Sequence, residues 1–269
     1  MVPIPTDPEP LAAGNGPLGG HSAHASPGSF PAEAEPGPAG ARQQHADVGA
    51  SGQACASESP QSRAVGDAGN RHAPTPPLVL VHGLFDTPRI FDGLRRRIAL
   101  RRSAVLVPHL PHALGSVPLE TLAADLDQAI GAAFGPEQPI DLLGFSMGGV
   151  IGRTWIELLG GHHRTRRFIS VASPQRGTLA ALPWPRWPLA GIADMKPGSS
   201  LLRRLAAADH SLRSIDCCSF YCPTDLTVFP GWQAVLPVGR RQPLPVFWHN
   251  RLMAEPGSLD PVAAELLRP

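Results

Sequence analysis

A serine with glycine two residues to either side, Gly144-Phe145-Ser146-Met147-Gly148, lies between an apolar run and a helix-compatible stretch. The spacing suits nucleophilic chemistry. At the tip of a sharp strand-to-helix turn a serine is held in a strained conformation with its hydroxyl projecting outward. Side chains two positions away would strike the opposite limb of the turn, so both positions favour glycine. The helix that follows aims its positive end at the place where an oxyanion would develop. Ile140, Leu142 and Leu143 supply the strand before the turn; Val150, Ile151, Trp155, Ile156, Leu158 and Leu159 supply the helix after it. In that context a nucleophilic Ser146 is preferred to a flexible Gly-Ser loop.

A serine hydroxyl needs a base, usually a histidine oriented by a carboxylate. Beyond Ser146, histidines occur at positions 162, 163, 210 and 249. His249 follows the apolar run Pro245-Val-Phe-Trp248, read as the last strand, in a loop able to reach over the sheet. Asp225 lies just beyond the preceding strand, placed to hold the imidazole's other nitrogen. The order Ser146, Asp225, His249 is the one that elbow-type sites follow. Asp216 would open a strand at the wrong edge, Asp194 and His210 fall in an inserted segment, and Asp260 fits the first turn of a helix. Two backbone N–H groups are expected to receive the oxyanion: that of Met147, and that of Leu84 after Gly83, with Phe85 as the alternative. His82 reads as a structural hydrogen-bonding residue.

The elements that must position these groups alternate. Strands are predicted at Leu78–Val81, Ala104–Val107, Ile140–Leu143, Arg167–Ala172, Cys217–Cys222 and Pro245–Trp248. Helices are predicted at Pro88–Leu100, Leu119–Phe134, after the elbow, and from about Leu259 to Leu267 with Asp260-Pro261 at its start. Such alternation implies a mostly parallel sheet of about six strands with helices on both faces. Residues 178–214 break the pattern with Leu182-Pro-Trp-Pro-Arg-Trp-Pro-Leu189, and suggest a cap over the carboxyl edge of the sheet, where ligands bind in such folds. Phe85, Trp184, Trp187, Leu189, Ile192 and Met195 either line a pocket or lid over the site, or are ordinary cap packing; both readings stay open.

Composition sets further bounds. Residues 1–77 hold 13 prolines and 11 glycines but only seven Ile, Leu, Val and Phe residues together, too few to offset the entropy of ordering. Residues 1–76 therefore read as a disordered tail before one domain at 77–269. A net charge of +1 gives no basis for nucleic-acid binding. The basic run Arg95-Arg96-Arg97 with Arg101-Arg102 reads as the solvated face of a helix whose other face is Phe91, Leu94, Ile98 and Ala99. No signal peptide or transmembrane run is recognised, so a cytoplasmic protein is expected. Cys218 and Cys222 would share a strand face about 13 Å apart at about 3.3 Å per residue, too far for a disulfide. No metal-ligand spacing is present.

Leu80-Val-His-Gly-Leu84, Gly144-Phe-Ser-Met-Gly-Gly149 and Ala172-Ser-Pro-Gln-Arg-Gly-Thr178 resemble segments of the α/β-hydrolase superfamily, within it the bacterial lipases and esterases. Met195-Lys-Pro-Gly-Ser-Ser-Leu-Leu202 is similar to a stretch some of these carry in the cap. The resemblance implies an α/β-hydrolase fold and cleavage of carboxylic esters, of lipids or other acyl compounds, through an acyl-serine intermediate. It implies a Ser146-Asp225-His249 triad, no cofactor, small-molecule or lipid ester substrates, and possible transient contact with a lipid surface through the cap. An acyltransferase or lipid-remodelling deacylase would use the same triad, and a non-catalytic binding protein on this fold is the alternative from a different class.

Overall fold

The computed structural model describes residues 75–269, the side chain of Asp209 excepted; the expected tail, apart from its last two residues, lies outside them. Six strands form one sheet: β1 (Leu78–Val81), β2 (Val105–Leu106), β3 (Ile140–Phe145), β4 (Thr165–Val171), β5 (Asp216–Tyr221) and β6 (Arg240–Pro243). Their order is β2-β1-β3-β4-β5-β6, and every neighbouring pair is parallel. The helices are α1 (Asp92–Ile98), α2 (Leu119–Phe134), α3 (Met147–Leu158), α4 (Ala190–Asp194), α5 (Ser200–Ala207) and α6 (Pro256–Leu266).

Continuous apolar strands are what a parallel sheet covered on both faces requires, and their two-residue period divides the core. Val79, Val81, Leu142 and Phe168 point to one face, packed with Leu122, Leu126, Ile151 and Trp155 of α2 and α3. Leu78, Leu80, Leu143 and Ile169 point to the other, packed with Leu94 and Ile98 of α1 and Leu259 and Val262 of α6. The cysteines follow the same rule. Cys217 enters the first core and Cys218 and Cys222 the second, and burial pushes the Cys217 and Cys218 thiols up to about 12 and about 11.

The last strand differs from the sequence expectation. The ladder partner of β5 is Arg240–Pro243, not Pro245–Trp248. An outer strand exposed at every residue needs no apolar run, so its composition conceals it. Leu244 and Val246 are buried in the second core without strand pairing, which mimics a strand in composition. The expected Pro88–Leu100 helix divides into a 3-10 turn, Pro88–Phe91, and the shorter α1, with Ala99 exposed. The terminal helix α6 begins earlier, at Pro256, and contains Pro261. Asp260 therefore lies inside it, bonded to Arg97 at 2.7 Å.

Arg102 does not belong to the solvated basic face: it is buried. Its guanidinium donates to Asp141 Oδ2 at 2.6 Å and to the carbonyls of Leu266 and Pro76. Arg166 adds a two-pronged grip on Asp141 at 2.8 and 2.6 Å. This ties β3 to α6 and to the chain entering β1, at the end of the sheet opposite the elbow. Removing Arg102 leaves Asp141 to Arg166 alone and takes the donor from the Leu266 and Pro76 carbonyls. Arg102→Ala is expected to lower stability by about 1–3 kcal/mol in denaturant unfolding; a loss within 0.5 kcal/mol, the range of an ordinary surface change, would contradict this assignment.

Candidate active site

At the β3–α3 junction Ser146 takes φ 53° and ψ −127°, a left-handed conformation rare for a residue with a side chain. Its N–H is held by Val171 O at 2.9 Å and its carbonyl accepts from Gly149 at 3.1 Å. The glycines are forced by contact. A Cβ on Gly144 would lie 2.3 Å from Gly149 Cα, one on Gly148 would lie 2.1 Å from Val81 O, and one on Gly149 would lie 2.0 Å from Ser173 Oγ. β1, β3, α3 and the turn after β4 thus meet at backbone distance, which fixes where the serine points.

The turn after β5 and the loop before α6 bring the partners in. His249 Nδ1–H donates to Asp225 Oδ2 at 2.6 Å, since a carboxylate only accepts, and Nε2 faces Ser146 Oγ at 2.8 Å to receive the hydroxyl proton. Asp225 is buried, and its other oxygen accepts from Thr227 N–H at 2.8 Å and Val228 N–H at 3.1 Å. The imidazole stacks on Phe145 with centroids 5.2 Å apart. The competitors lie elsewhere. Asp216, at the start of β5, pairs with Arg167 at 2.9 Å and Arg240 at 3.1 Å. Asp194 accepts from Leu119 N–H at 3.1 Å, at the first residue of α2.

The loop after β1 forms the facing wall. Buried His82 donates from Nδ1 to Gly83 O at 3.0 Å and accepts Leu110 N–H at Nε2, 3.2 Å. Burial pushes its pKa down, which suits a neutral, fixed imidazole. Among the described residues, no protein acceptor takes the N–H of Leu84, Phe85 or Met147. Leu84 and Phe85 reach the cleft beside Ser146, and Met147 is the first residue of α3.

A cleft of about 470 Å³ opens over Ser146, lined by residues that include Leu84, Phe85, Phe145, Met195, Val228 and Trp248. Of the six expected pocket or lid residues, Phe85 and Met195 reach it. Ile192 is buried in the first core, where its side chain would crowd a Cβ on Gly115 at 2.6 Å, and Leu189 packs on the same core. Trp184 and Trp187 stand exposed in the loop before α4. Sequence reasoning passed over Asp86, which lines the cleft three residues beyond Gly83. Burial pushes its carboxyl up, while His249 and the Gly83 N–H pull it down.

A half-buried, strained serine, a histidine hydrogen-bonded to it and a buried aspartate thus stand together at the carboxyl edge of a parallel sheet. Residues 76–214, more than half the chain, match the alpha/beta hydrolase fold family, and the protein belongs to it. Its fold is similar to that of Bacillus licheniformis lipase BlEst2, with a TM-score of 0.57 and 17% identity over 74% of this chain and 94% of that one. It is also similar to Aspergillus fumigatus lipase B, with a TM-score of 0.58 and 17% identity over 72% of this chain and 53% of the other. No curated protein matches the sequence. Among the described residues, no helix is long and apolar enough to cross a membrane, and no cluster of three or more His, Cys, Asp or Glu is arranged to hold a metal.

The glycine contacts give a sharp contrast between two substitutions. Gly148→Ala must displace the Val81 carbonyl, 2.1 Å from the new Cβ, and is expected to abolish folding or lower the melting temperature sharply. Gly131→Ala, in α2 with nothing within 4 Å, is expected to stabilise by about 0.5–1 kcal/mol. Circular-dichroism melts of the two variants check this; equal melting temperatures would contradict it.

Proposed function

We propose that the protein hydrolyses carboxylic esters through an acyl-Ser146 intermediate. The observation that carries this reading is the Ser146–His249–Asp225 hydrogen-bond chain, 2.8 and 2.6 Å long, opening into an apolar cleft. Ser146 Oγ attacks the ester carbonyl as His249 Nε2 takes its proton. Asp225 holds the ring and stabilises the imidazolium that forms. The N–H groups of Leu84 and Met147 receive the oxyanion, aided by the positive end of α3. His249 returns the proton to the departing alcohol, then takes one from water as it attacks the acyl-serine, and releases it to free Ser146 with the carboxylic acid product.

The two structural neighbours named above are lipases, which agrees with this reading. Thr178 lines the cleft, and the chain runs on from it through exposed Leu179, Leu182, Trp184 and Trp187. An apolar stretch leading away from the mouth supports acyl esters as substrates and transient contact with a lipid surface.

The test is kcat/KM for p-nitrophenyl esters from acetyl to palmitoyl. Ser146→Ala and His249→Ala are each expected to lower kcat about a millionfold, and the double variant no further, because the two act as one unit. Turnover that survives Ser146→Ala would remove the serine from the mechanism. A folded wild type that transfers acyl groups to an alcohol but not to water would make it an acyltransferase.

A further inference from the structure

The residues lining the cleft include no lysine and no arginine, and Asp86 is their one carboxylate. Three aromatic rings share the lining, those of Phe85, Phe145 and Trp248. Phe145 is committed to His249. Phe85 and Trp248 are not buried by the fold, at 69% and 65% exposure, so their ring faces are open to a ligand.

Asp86 is built in rather than loosely placed. Its N–H bonds Gly83 O at 3.4 Å and its carboxylate packs against Gly83, closing the loop that carries Leu84. A methyl group on Gly83 would stand 2.8 Å from Asp86 Oδ2 and 2.8 Å from Ser146 Cβ, so the carboxylate flanks the nucleophile. His249 and His112 face it, but among the described residues no arginine or lysine forms an ion pair with it. A fixed, half-buried anion beside open aromatic faces attracts a cation twice over, by direct charge and by the negative faces of the rings. The same anion repels a carboxylate or phosphate brought to the serine.

We propose that the cleft selects esters that carry a positive charge close to the ester group, a quaternary ammonium or a protonated amine, with Asp86 as the specificity-determining residue and Phe85 and Trp248 as aromatic walls. This rests on the ester-hydrolase reading and narrows its substrate class. No new covalent step is involved: Asp86 acts on which ester dwells beside Ser146.

The experiment compares isosteric pairs, acetylcholine against 3,3-dimethylbutyl acetate for charge in the alcohol, and a trimethylammonio-acyl ester against its tert-butyl analogue for charge in the acyl part. In the wild type kcat/KM for at least one cationic member is expected to exceed its neutral partner about tenfold, and rising salt should shrink the ratio. Asp86→Asn should bring that ratio close to one. Ratios at or below one in the wild type, or a ratio unchanged in Asp86→Asn, would overturn the inference while leaving ester hydrolysis intact. Should Asp86→Asn fail to fold, inhibition of wild-type turnover of a neutral ester replaces it. Choline is expected to inhibit competitively at about one-tenth the concentration required of 3,3-dimethylbutanol; equal inhibition constants would overturn the inference. No turnover of any ester by folded wild type would remove the hydrolase reading and this inference with it.

Discussion

The close approach of four backbone segments around Ser146 is the constraint on which the rest depends. The end of β1, the end of β3, the start of α3 and the turn after β4 meet where Gly144, Gly148 and Gly149 leave no space for a Cβ. A left-handed serine is unfavourable alone, by about 1–3 kcal/mol, and persists when surrounding structure over-determines it. Here a parallel sheet supplies that surrounding. β1 and β3 are adjacent, so the loop after β1 lies beside the elbow, and Leu84 lines the cleft over Ser146.

Rigidity at the elbow is matched by a charged frame at the other end of the sheet. Asp141 gathers Arg102 and Arg166, and Arg167 reaches Asp216 and the carbonyls of Glu265, Arg268 and Pro269. Arg240 crosses from β6 to Glu265 at 2.6 and 2.7 Å. Arginine hydrogen bonds outweigh burial at Asp216 and Glu265 and hold both carboxyls below the usual range. These contacts clamp α6 to the sheet, and the loop that presents His249 ends where α6 begins.

Much of this is legible in the sequence because the elbow imposes its rule locally. Gly144, Ser146 and Gly148 lie within five residues, and the apolar runs of β1, β3 and β4 announce buried parallel strands. The chain order of Asp225 and His249 after Ser146 narrows the partners, and the structure brings those three side chains together. What escapes is set by tertiary contact. β6 is polar because it lies at an edge, and Arg102 looks solvated because its partners are distant in sequence. Trp184 and Ile192 look alike as cap residues, yet one is exposed and the other closes the core over Gly115. Asp86 carries no motif; its meaning arises from a turn that brings it back to Gly83.

The central claim is that Ser146 is a nucleophile activated in the folded protein. Labelling with a fluorophosphonate, followed by intact-mass and peptide mass spectrometry, addresses this without assuming a substrate. One adduct per chain, on Ser146 and lost when the protein is unfolded before labelling, is the predicted result. A folded protein that gains no adduct, or gains one at another residue, would contradict the account.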